Sequence, residues 1–485
     1  MIEFKNVTFA YPDNVEGGLK NISLTIPDGQ FVLLCGRSGC GKTTLTRLVN
    51  GLIPQFFSGD LKGQVLLDGE DIFTLPMYRI AQRVGSVFQN PRTQFFNVDT
   101  DSEIAFGIEN EAVAQNELAP RVAETAAQLN IEELLGRNIF ALSGGEKQKI
   151  AFASAYATRP EVFLLDEPSS NLDMASIAQL REHLQLIKSQ GKTVIVAEHR
   201  LYYLVPVADR IIYMENGSIE GNYTPEEFYA LPASCRRKMG LRTTELGSEV
   251  PERRCRQKSV AVLELSDMQL CHKKRTVLKN VSLKAAPGEV IAIVGRNGAG
   301  KTTLSRALCG LHKELSGSYY WNGKPQKPRE RMKRSYMVMQ DVNYQLFAES
   351  VEAECVFGLK HPDTALAEKT LAELGLIQFA ERHPNTLSGG QKQRLAAATA
   401  MVCGKELLVF DEPTSGLDYD SMVRLSDLIQ RLAGIGKLIF IVTHDYEFFC
   451  RTCTRVLHIE GGTISSDLPV SDETLSKLRD IFDVR

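Results

Sequence analysis

The chain carries one set of motifs twice, in the same order, and this duplication constrains its fold more than any other feature. Each half contains a glycine-rich segment ending in Gly-Lys-Thr, a Leu-Ser-Gly-Gly segment, an Asp-Glu-Pro segment and a later histidine. The serine, aspartate and histidine of the second copy each lie 245 residues after their counterparts, and the first glycines lie 259 residues apart. The stretch from serine to histidine is therefore collinear, and the chain is a duplicated domain. The paired residues are Gly36 and Gly295, Ser143 and Ser388, Asp166 and Asp411, and His199 and His444.

Length and composition fit two domains of ordinary globular type. A chain of 485 residues is too long for one core, and 43% apolar with 24% charged residues is a usual globular composition. The net charge of −3 argues against a nucleic-acid-binding surface spread over the molecule. No apolar run approaches the roughly 20 residues of a membrane-spanning helix, and the first residues lack the apolar core of a signal peptide. We therefore expect a cytoplasmic protein that binds no nucleic acid.

Alternating strand and helix patterns predict an α/β fold in both halves. A strand-like sequence pattern begins the first copy at residue 2 and the second copy at residue 260. Apolar runs such as 162–165 read as buried parallel strands, and helical text such as 175–189 separates them. This alternation implies a sheet that helices cover on both faces.

A segment without sustained periodicity lies between the two copies. Residues 231–259 contain two prolines, two glycines and eight basic against three acidic side chains. We therefore predict a first domain over 1–230, a linker over 231–259 and a second domain over 260–485. We interpret the linker as a solvated tether, with contact to anionic lipid or to a partner as the alternative.

The glycine-rich segment of each half follows a predicted strand and precedes a predicted helix, which is the context of a phosphate-binding loop. Glycines let backbone N–H groups turn inward around a phosphate, and the helix N-terminus adds a favourable dipole. The lysine then bridges the β- and γ-phosphates of a nucleotide, and the threonine hydroxyl binds Mg²⁺. The predicted nucleotide-binding residues are Gly36, Ser38, Gly39, Gly41, Lys42, Thr43 and Thr44 in the first half and Gly295, Asn297, Gly298, Gly300, Lys301, Thr302 and Thr303 in the second.

The Asp-Glu-Pro segments supply the predicted metal ligand and proton acceptor. Asp166 and Asp411 end apolar strands, where a carboxylate reaches a metal beside the phosphate loop. Glu167 and Glu412 follow at once and are placed to accept a proton from an attacking water. Taken alone, such a trio also fits a helix N-terminus with acidic first-turn residues. The fixed spacing to the other motifs favours the catalytic interpretation.

Two further pairs of polar residues follow predicted strands. Gln89 and Gln340 are predicted to touch Mg²⁺ and the attacking water. His199 and His444 each end a buried strand, so a core histidine is the competing interpretation. Because each histidine lies 33 residues after the aspartate, we interpret both as contacts to the γ-phosphate.

The Leu-Ser-Gly-Gly segments each begin a predicted helix with a serine cap and two glycines, which is an exposed N-terminus that favours a phosphate. Each half already has its own phosphate loop. A second anion site in each half makes sense if it serves the nucleotide of the other half. The residues concerned are Ser143, Gly144 and Gly145, and Ser388, Gly389 and Gly390.

Together these motifs resemble those of ATP-binding-cassette ATPases over nearly the whole chain, twice over. In that family Leu-Ser-Gly-Gly is the signature motif, and two domains pack head to tail around two ATP molecules. The resemblance implies an intramolecular pseudo-dimer of the two halves. In it Ser388 would face the ATP held by Lys42, and Ser143 would face the ATP held by Lys301.

The resemblance also implies the fold and further contacts. Each half would be a P-loop NTPase domain with a mainly parallel RecA-like core, an antiparallel β subdomain and a helical subdomain that carries the signature. Tyr11 matches the aromatic residue that stacks on adenine, whereas the second half offers His272 at that place. The D-loops match residues 170–173 and 415–418. ATP and Mg²⁺ are the implied cofactors.

The segment around Gln89 is similar to the Gln-Asn-Pro-x-x-Gln sequence of energy-coupling-factor transporter ATPases, and the segment around Gln340 looks like its partner in fused versions. The resemblance implies an ATPase that lies against the inner face of the membrane. Its partners would be a transmembrane coupling subunit and a small substrate-binding membrane subunit, and its cargo a vitamin, a related micronutrient or a metal ion. The segments after Gln89 and Gln340 would form the grooves that receive coupling helices.

Other tandem-cassette functions fit the sequence less well. A soluble translation or ribosome-associated ATPase is the main alternative, but those proteins typically carry a long charged helical arm, and residues 231–259 are too short and broken for one. A DNA-repair ATPase would need zinc-binding cysteine clusters. A fused sugar-importer ATPase usually has one degraded phosphate loop, whereas both loops here are intact.

Overall fold

In a computed structural model the chain divides into two compact units, Met1–Thr244 and Glu245–Arg485. The structure describes residues 1–12, 17–170, 172–252, 260–272, 275–312 and 315–484, without the side chains of residues 272 and 315.

The first unit alternates strands and helices as the sequence predicts. Its strands are β1 (Ile2–Ala10), β2 (Leu19–Ile26), β3 (Phe31–Gly36), β4 (Asp60–Leu67), β5 (Glu70–Asp71), β6 (Val84–Val87), β7 (Val162–Asp166), β8 (Thr193–Ala197), β9 (Arg210–Glu215) and β10 (Ser218–Tyr223). Its helices are α1 (Lys42–Val49), α2 (Leu52–Gln55), α3 (Met77–Arg83), α4 (Thr100–Asn110), α5 (Gln115–Gln128), α6 (Gly144–Ala157), α7 (Met174–Ser189), α8 (Pro225–Ala230) and α9 (Ala233–Lys238).

Two sheets organise the first unit. The larger one has the order β10-β9-β3-β8-β7-β6, and its pairs are parallel except for the β9–β10 hairpin. Strands β3 and β8 are buried along their whole length, because a central parallel strand is covered on both faces. The smaller sheet, β2-β1-β4-β5, is antiparallel. Its strand β2 alternates between buried and exposed residues over much of its length, as a sheet with one solvated face does.

The second unit has the same organisation. Its strands are β11 (Leu263–His272), β12 (Arg275–Ala285), β13 (Val290–Val294), β14 (Leu315–Trp321), β15 (Lys324–Pro325), β16 (Ser335–Val338), β17 (Leu407–Asp411), β18 (Leu438–Val442), β19 (Arg455–Glu460) and β20 (Thr463–Pro469). Its helices are α10 (Lys301–Leu308), α11 (Pro328–Arg334), α12 (Val351–Val356), α13 (Thr364–Glu373), α14 (Gly389–Val402), α15 (Tyr419–Gly434), α16 (Tyr446–Thr452) and α17 (Leu475–Ile481).

The sheets of the second unit repeat those of the first. A mainly parallel sheet has the order β16-β17-β18-β13-β19-β20, and an antiparallel sheet has the order β12-β11-β14-β15. In the first unit α4, α5 and α6 pack together as a helical layer, and in the second unit α12, α13 and α14 do the same. The last helix of each layer begins at the Leu-Ser-Gly-Gly segment. The predicted fold class, two α/β domains each with a parallel core, an antiparallel subdomain and a helical subdomain, is confirmed.

The first part of the region predicted as a linker belongs to the first compact unit. Helix α9 lies within it, and the carbonyl oxygen of Lys238 accepts a hydrogen bond from Arg37 at 2.6 Å. Tyr213 donates to the carbonyl oxygen of Met239 at 3.3 Å, and Leu241 is buried in the core of the first unit. The end of the first unit thus packs beside its phosphate loop. The basic residues predicted at positions 253–258 lie outside the described residues, and the domain bounds 1–230 and 260–485 stay predictions.

Over the ranges that the structure describes, no helix combines the length and the apolar character needed to cross a membrane.

Candidate functional site

The first glycine-rich segment forms a tight loop between β3 and α1. Gly36 has a φ of 147°, and a Cβ atom built on it would lie 2.2 Å from the carbonyl oxygen of Met214. Because backbone occupies that space, glycine is required there. Lys42, the first residue of α1, is buried and its Nζ donates to the carbonyl oxygens of Gly36 at 3.0 Å and Arg37 at 3.1 Å. The ammonium group therefore lies across the loop that the sequence predicts as a phosphate cradle.

The second loop reproduces this geometry. A Cβ atom on Gly295 would lie 2.3 Å from the carbonyl oxygen of Ile459. Lys301 Nζ donates to the carbonyl oxygens of Gly295 at 2.7 Å and Arg296 at 3.0 Å. The remaining predicted loop residues lie in the same two turns or in the first turn of α1 and α10: Ser38, Gly39, Gly41, Thr43 and Thr44, and Asn297, Gly298, Gly300, Thr302 and Thr303.

Each loop is joined to the aspartate of its own half. Thr43 Oγ1 donates to Asp166 Oδ1 at 3.1 Å, and Thr302 Oγ1 donates to Asp411 Oδ2 at 2.9 Å. Burial and the neighbouring charge of Glu167 raise the pKa of Asp166 to about 6, and burial raises the pKa of Asp411. A hydroxyl and a buried carboxylate that lacks a full counter-charge are hard oxygen donors, a set that suits a divalent cation.

The two glutamates have unusual backbone conformations. Glu167 has a φ of 44° and Glu412 a φ of 50°, which lie in the left-handed region that non-glycine residues seldom occupy. Their N–H groups donate to the carbonyl oxygens of Ala197 at 2.8 Å and Val442 at 2.9 Å, at the ends of β8 and β18. These bonds to the neighbouring strand hold the strained turn, and strain of this kind concentrates at functional sites.

In the first half the glutamate, the glutamine and the histidine come together. Gln89 Nε2 donates to Glu167 Oε2 at 2.6 Å, and His199 Nε2 lies 3.4 Å from Glu167 Oε1. The three residues follow β6, β7 and β8, whose carboxyl ends meet at one edge of the sheet. Separate predictions from the sequence therefore converge on one cluster.

The second half repeats part of this arrangement. His444 Nε2 lies 3.5 Å from Glu412 Oε1, and the N–H of His444 donates to Glu412 Oε2 at 3.4 Å. Gln340 lies after β16, and its carbonyl oxygen accepts a hydrogen bond from Gln393 Nε2 at 3.1 Å. Gln393 belongs to α14, so this bond joins the segment after Gln340 to the helix that follows Leu-Ser-Gly-Gly.

The two signature serines cap their helices. Ser143 precedes α6 and Ser388 precedes α14, and each hydroxyl accepts from the backbone N–H three residues later at 3.3 Å. The side chains of Glu146 and Gln391 accept in return from the serine N–H groups at 2.7 and 2.8 Å. This capping box fixes the first turn, where Gly144, Gly145, Gly389 and Gly390 lie.

Tyr11 lies beside the first phosphate loop. Its hydroxyl is 3.1 Å from Thr44 Oγ1 and accepts a hydrogen bond from Arg47 at 3.0 Å. The ring is thereby tied to α1, the helix that carries Lys42. The counterpart side chain of His272 lies outside what the structure describes, as does Asn171 in the first D-loop.

Sequence reasoning included Gln94 and Gln345 in the motifs at Gln89 and Gln340 but assigned them no structural role. Gln94 accepts from the N–H of Phe88 at 3.2 Å and donates to the carbonyl oxygen of Ser86 at 2.8 Å. In the second half Gln345 accepts from the N–H of Met339 at 2.6 Å. The second glutamine of the Gln-Asn-Pro-x-x-Gln motif thus ties the turn back to its strand, and the fixed spacing was the available signal.

Buried glutamates hold the next part of each segment. Glu103 Oε2 accepts from the N–H groups of Phe96 at 3.0 Å and Asn97 at 2.8 Å. Glu354 Oε2 accepts from the N–H groups of Phe347 and Ala348, both at 2.7 Å. The exposed aromatic side chains at 96 and 347 therefore stand on a fixed backbone in both halves.

The sequence matches a protein family described as ABC transporter over residues 19–170 and 278–415. It is 50% identical over 475 residues to a protein of Treponema denticola that is named, provisionally, as an ABC transporter ATP-binding protein, with 96% of this chain and 97% of that protein covered. A similarly named protein of Methanosarcina mazei is 31% identical, with 98% and 90% covered.

Among solved structures, the chain is similar to an archaeal ribosome recycling factor in complex with a ribosomal stalk protein. The TM-score is 0.67 at 22% identity, with 98% of this chain and 92% of that chain covered. At this identity the likeness concerns the fold.

Proposed function

Because the chain belongs to the ABC transporter ATP-binding protein family, and its members hydrolyse ATP, we propose that it is the ATPase subunit of an importer of the energy-coupling-factor type. Its membrane partners are a transmembrane coupling subunit and a small substrate-binding subunit. The cargo is a vitamin, a related micronutrient or a metal ion. The chain lies on the cytoplasmic face of the membrane, and ATP binding and hydrolysis close and reopen its two halves.

Within each half the clusters described above bind and cleave ATP. Lys42 holds the β- and γ-phosphates against the loop, and Tyr11 stacks on adenine in the first site. Glu167 accepts a proton from the attacking water, which Gln89 orients, and His199 contacts the γ-phosphate. Lys301, Glu412, Gln340 and His444 have the same roles in the second half.

Mg²⁺ fits the donor set of each loop. Thr43 with Asp166, and Thr302 with Asp411, would hold the cation together with the phosphates. The raised pKa of Asp166 supports this assignment, because burial takes water away from that carboxylate and a cation beside it would stabilise its charged form. When bound, the cation would neutralise charge on the phosphates.

The two sites are composite. The capped helix that begins after Ser388 directs its first N–H groups at the ATP on Lys42, and the helix after Ser143 does so for the ATP on Lys301. Each half already has its own phosphate cradle, so a second anion-binding helix end is explained by the nucleotide of the other half.

The observation that carries the transport assignment is a pair of phenylalanines after Gln89, of which Phe96 is exposed, together with the exposed pair at the same positions after Gln340. Phe96 is 75% exposed and stacks on Phe106 with 4.9 Å between ring centroids. Phe347 and Phe357, at the same positions of the second half, are 69% and 59% exposed. Large apolar side chains on a fixed backbone mark a protein-binding surface. A membrane partner that contacts both halves explains why the pair occurs twice.

Affinity purification of the full chain from its source organism tests the assignment. Membranes are solubilised in mild detergent, and the co-purifying proteins are identified by mass spectrometry. We expect two small integral membrane proteins, and we expect Phe96→Ser with Phe347→Ser to lose them while ATP binding persists. Recovery with ribosomes and without membrane proteins would refute transport in favour of a translation-associated ATPase.

A further inference from the structure

A buried carboxylate that no step above uses lies next to His199. Glu198 is 2% exposed, and each of its two carboxylate oxygens accepts two hydrogen bonds. Oε1 accepts from the N–H groups of His199 at 2.7 Å and Arg200 at 3.2 Å. Oε2 accepts from the N–H of Ser169 at 3.2 Å and the hydroxyl of Tyr203 at 2.9 Å. One side chain thus connects the segment after β7 with the segment after β8.

Ser169, in the segment after β7, has both of its backbone polar groups in hydrogen bonds to side chains. Arg200, itself buried, donates from a guanidinium nitrogen to the carbonyl oxygen of Ser169 at 3.3 Å, while Glu198 accepts from the N–H of the same residue. Burial raises the pKa of Tyr203 well above its ordinary value, so its hydroxyl stays a neutral donor. Ser169 lies two residues after Glu167, and the same carboxylate therefore fixes the neighbourhoods of the proton acceptor and of His199.

The second half is built differently at this place. Thr443 replaces Glu198, and its hydroxyl accepts from the N–H of Asp445 at 3.0 Å. Asp445 replaces the arginine and caps α16 by accepting from the N–H of Phe448 at 3.1 Å. Phe448 stands where the first half has Tyr203, so the hydroxyl donor is replaced as well.

We propose that Glu198 is a positioning residue of the first ATP site. Its hydrogen bonds to the segments that carry Glu167 and His199 fix these two residues relative to each other, and we call this set of hydrogen bonds the clamp. The second site has another local construction, so the clamp makes the two sites unequal. This inference rests on the proposed roles of Glu167 and His199.

The test compares Glu198→Gln with Tyr203→Phe in the full-length chain. Glutamine has nearly the same shape, but its amide group places N–H donors against the N–H of Ser169. Tyr203→Phe removes one donor and leaves the carboxylate with its three backbone N–H groups. Hydrogen–deuterium exchange of peptides that contain Ser169 and His199 reports the clamp without reference to activity. Steady-state ATP hydrolysis reports its effect on turnover.

For Glu198→Gln we expect exchange of both peptides to rise by about tenfold, with the second-half peptides that contain Thr414 and His444 unchanged. We expect kcat to fall by about tenfold and KM for ATP to stay within about twofold, because the phosphate loop is not altered. Tyr203→Phe should change kcat less than about threefold.

Unchanged exchange in Glu198→Gln would overturn the clamp, and raised exchange with unchanged kcat would overturn its positioning role. A rise in KM as large as the fall in kcat would also overturn that role. If the wild-type chain hydrolysed no ATP at all, the proposed function would fail, and the exchange data would still decide whether the clamp exists.

Discussion

Replacement of Glu167 by glutamine removes the proposed proton acceptor of the first site and leaves its surroundings in place. The backbone stays bound to Ala197 through the 2.8 Å hydrogen bond. The amide oxygen of the new side chain can still accept the bond that Gln89 Nε2 makes at 2.6 Å. An amide does not take a proton from water near neutral pH. The variant therefore changes the chemistry of the site and preserves its shape.

The expected loss follows from the contribution of a general base. Such a group accelerates a reaction by about 10²- to 10⁴-fold, so turnover should fall at least about 10²-fold, or roughly 3 kcal/mol in activation free energy. Lys42, the proposed ligand of the phosphates, is unchanged, and the affinity for ATP should stay within about twofold. Glu412→Gln is the matched variant in the second half and should also lower turnover, because Glu412 is the proposed proton acceptor of that site.

Phosphate release at saturating ATP measures the turnover of the purified assembly, and equilibrium binding of a fluorescent ATP analogue measures affinity. The melting temperature of each variant controls for folding. Near-wild-type turnover in either variant would show that its glutamate is dispensable. An equal loss of ATP affinity would show that the carboxylate serves binding and would refute the assigned role.

Three other changes test separate parts of the account. Gly36→Ala places a methyl group 2.2 Å from the carbonyl oxygen of Met214 and should cost about 2 kcal/mol or more, whereas Gly69→Ala, at a φ of 82° in open space, should lower the melting temperature much less. Ser388→Asp keeps a good helix cap but sets a negative charge against the phosphates, so it should weaken ATP-dependent closure in small-angle scattering without unfolding α14. Phe96→Asp should abolish recovery of membrane partners and leave Kd for ATP unchanged.

Much of the fold could be predicted because the two signals that specify it, apolar runs for strands and helical periodicity for helices, are local in the sequence. The apolar run 162–165 predicted β7, and residues 175–189 predicted α7, which begins one residue earlier at Met174. The strand expected from residue 260 begins instead at Leu263, where pairing opposite Ala285 starts. A ladder needs a partner strand, and sequence pattern alone does not locate the first paired residue.

The meeting of the candidate site residues could be predicted for a similar reason, since Gln89, Glu167 and His199 each follow a strand of one parallel sheet. The clamp around Glu198 could not. Its donors come from four residues that β7 and β8 bring together, namely Ser169, His199, Arg200 and Tyr203, and no sequence pattern links them to Glu198. Helix α9 was also not predicted, because the segment that contains it has no sustained periodicity. Hydrogen bonds from Arg37 to Lys238 and from Tyr213 to Met239 hold this segment against the first unit.

The central proposal is that each ATP lies between the lysine loop of one half and the serine-capped helix of the other. A crystal or cryo-electron-microscopy structure of the Glu167→Gln, Glu412→Gln chain with Mg²⁺ and ATP measures this directly. We expect the Ser388 hydroxyl at about 2.7–3.2 Å from the γ-phosphate of the ATP on Lys42, and the Ser143 hydroxyl equally close to the γ-phosphate of the ATP on Lys301. A closed, ATP-bound molecule with both serines far from either γ-phosphate would contradict it.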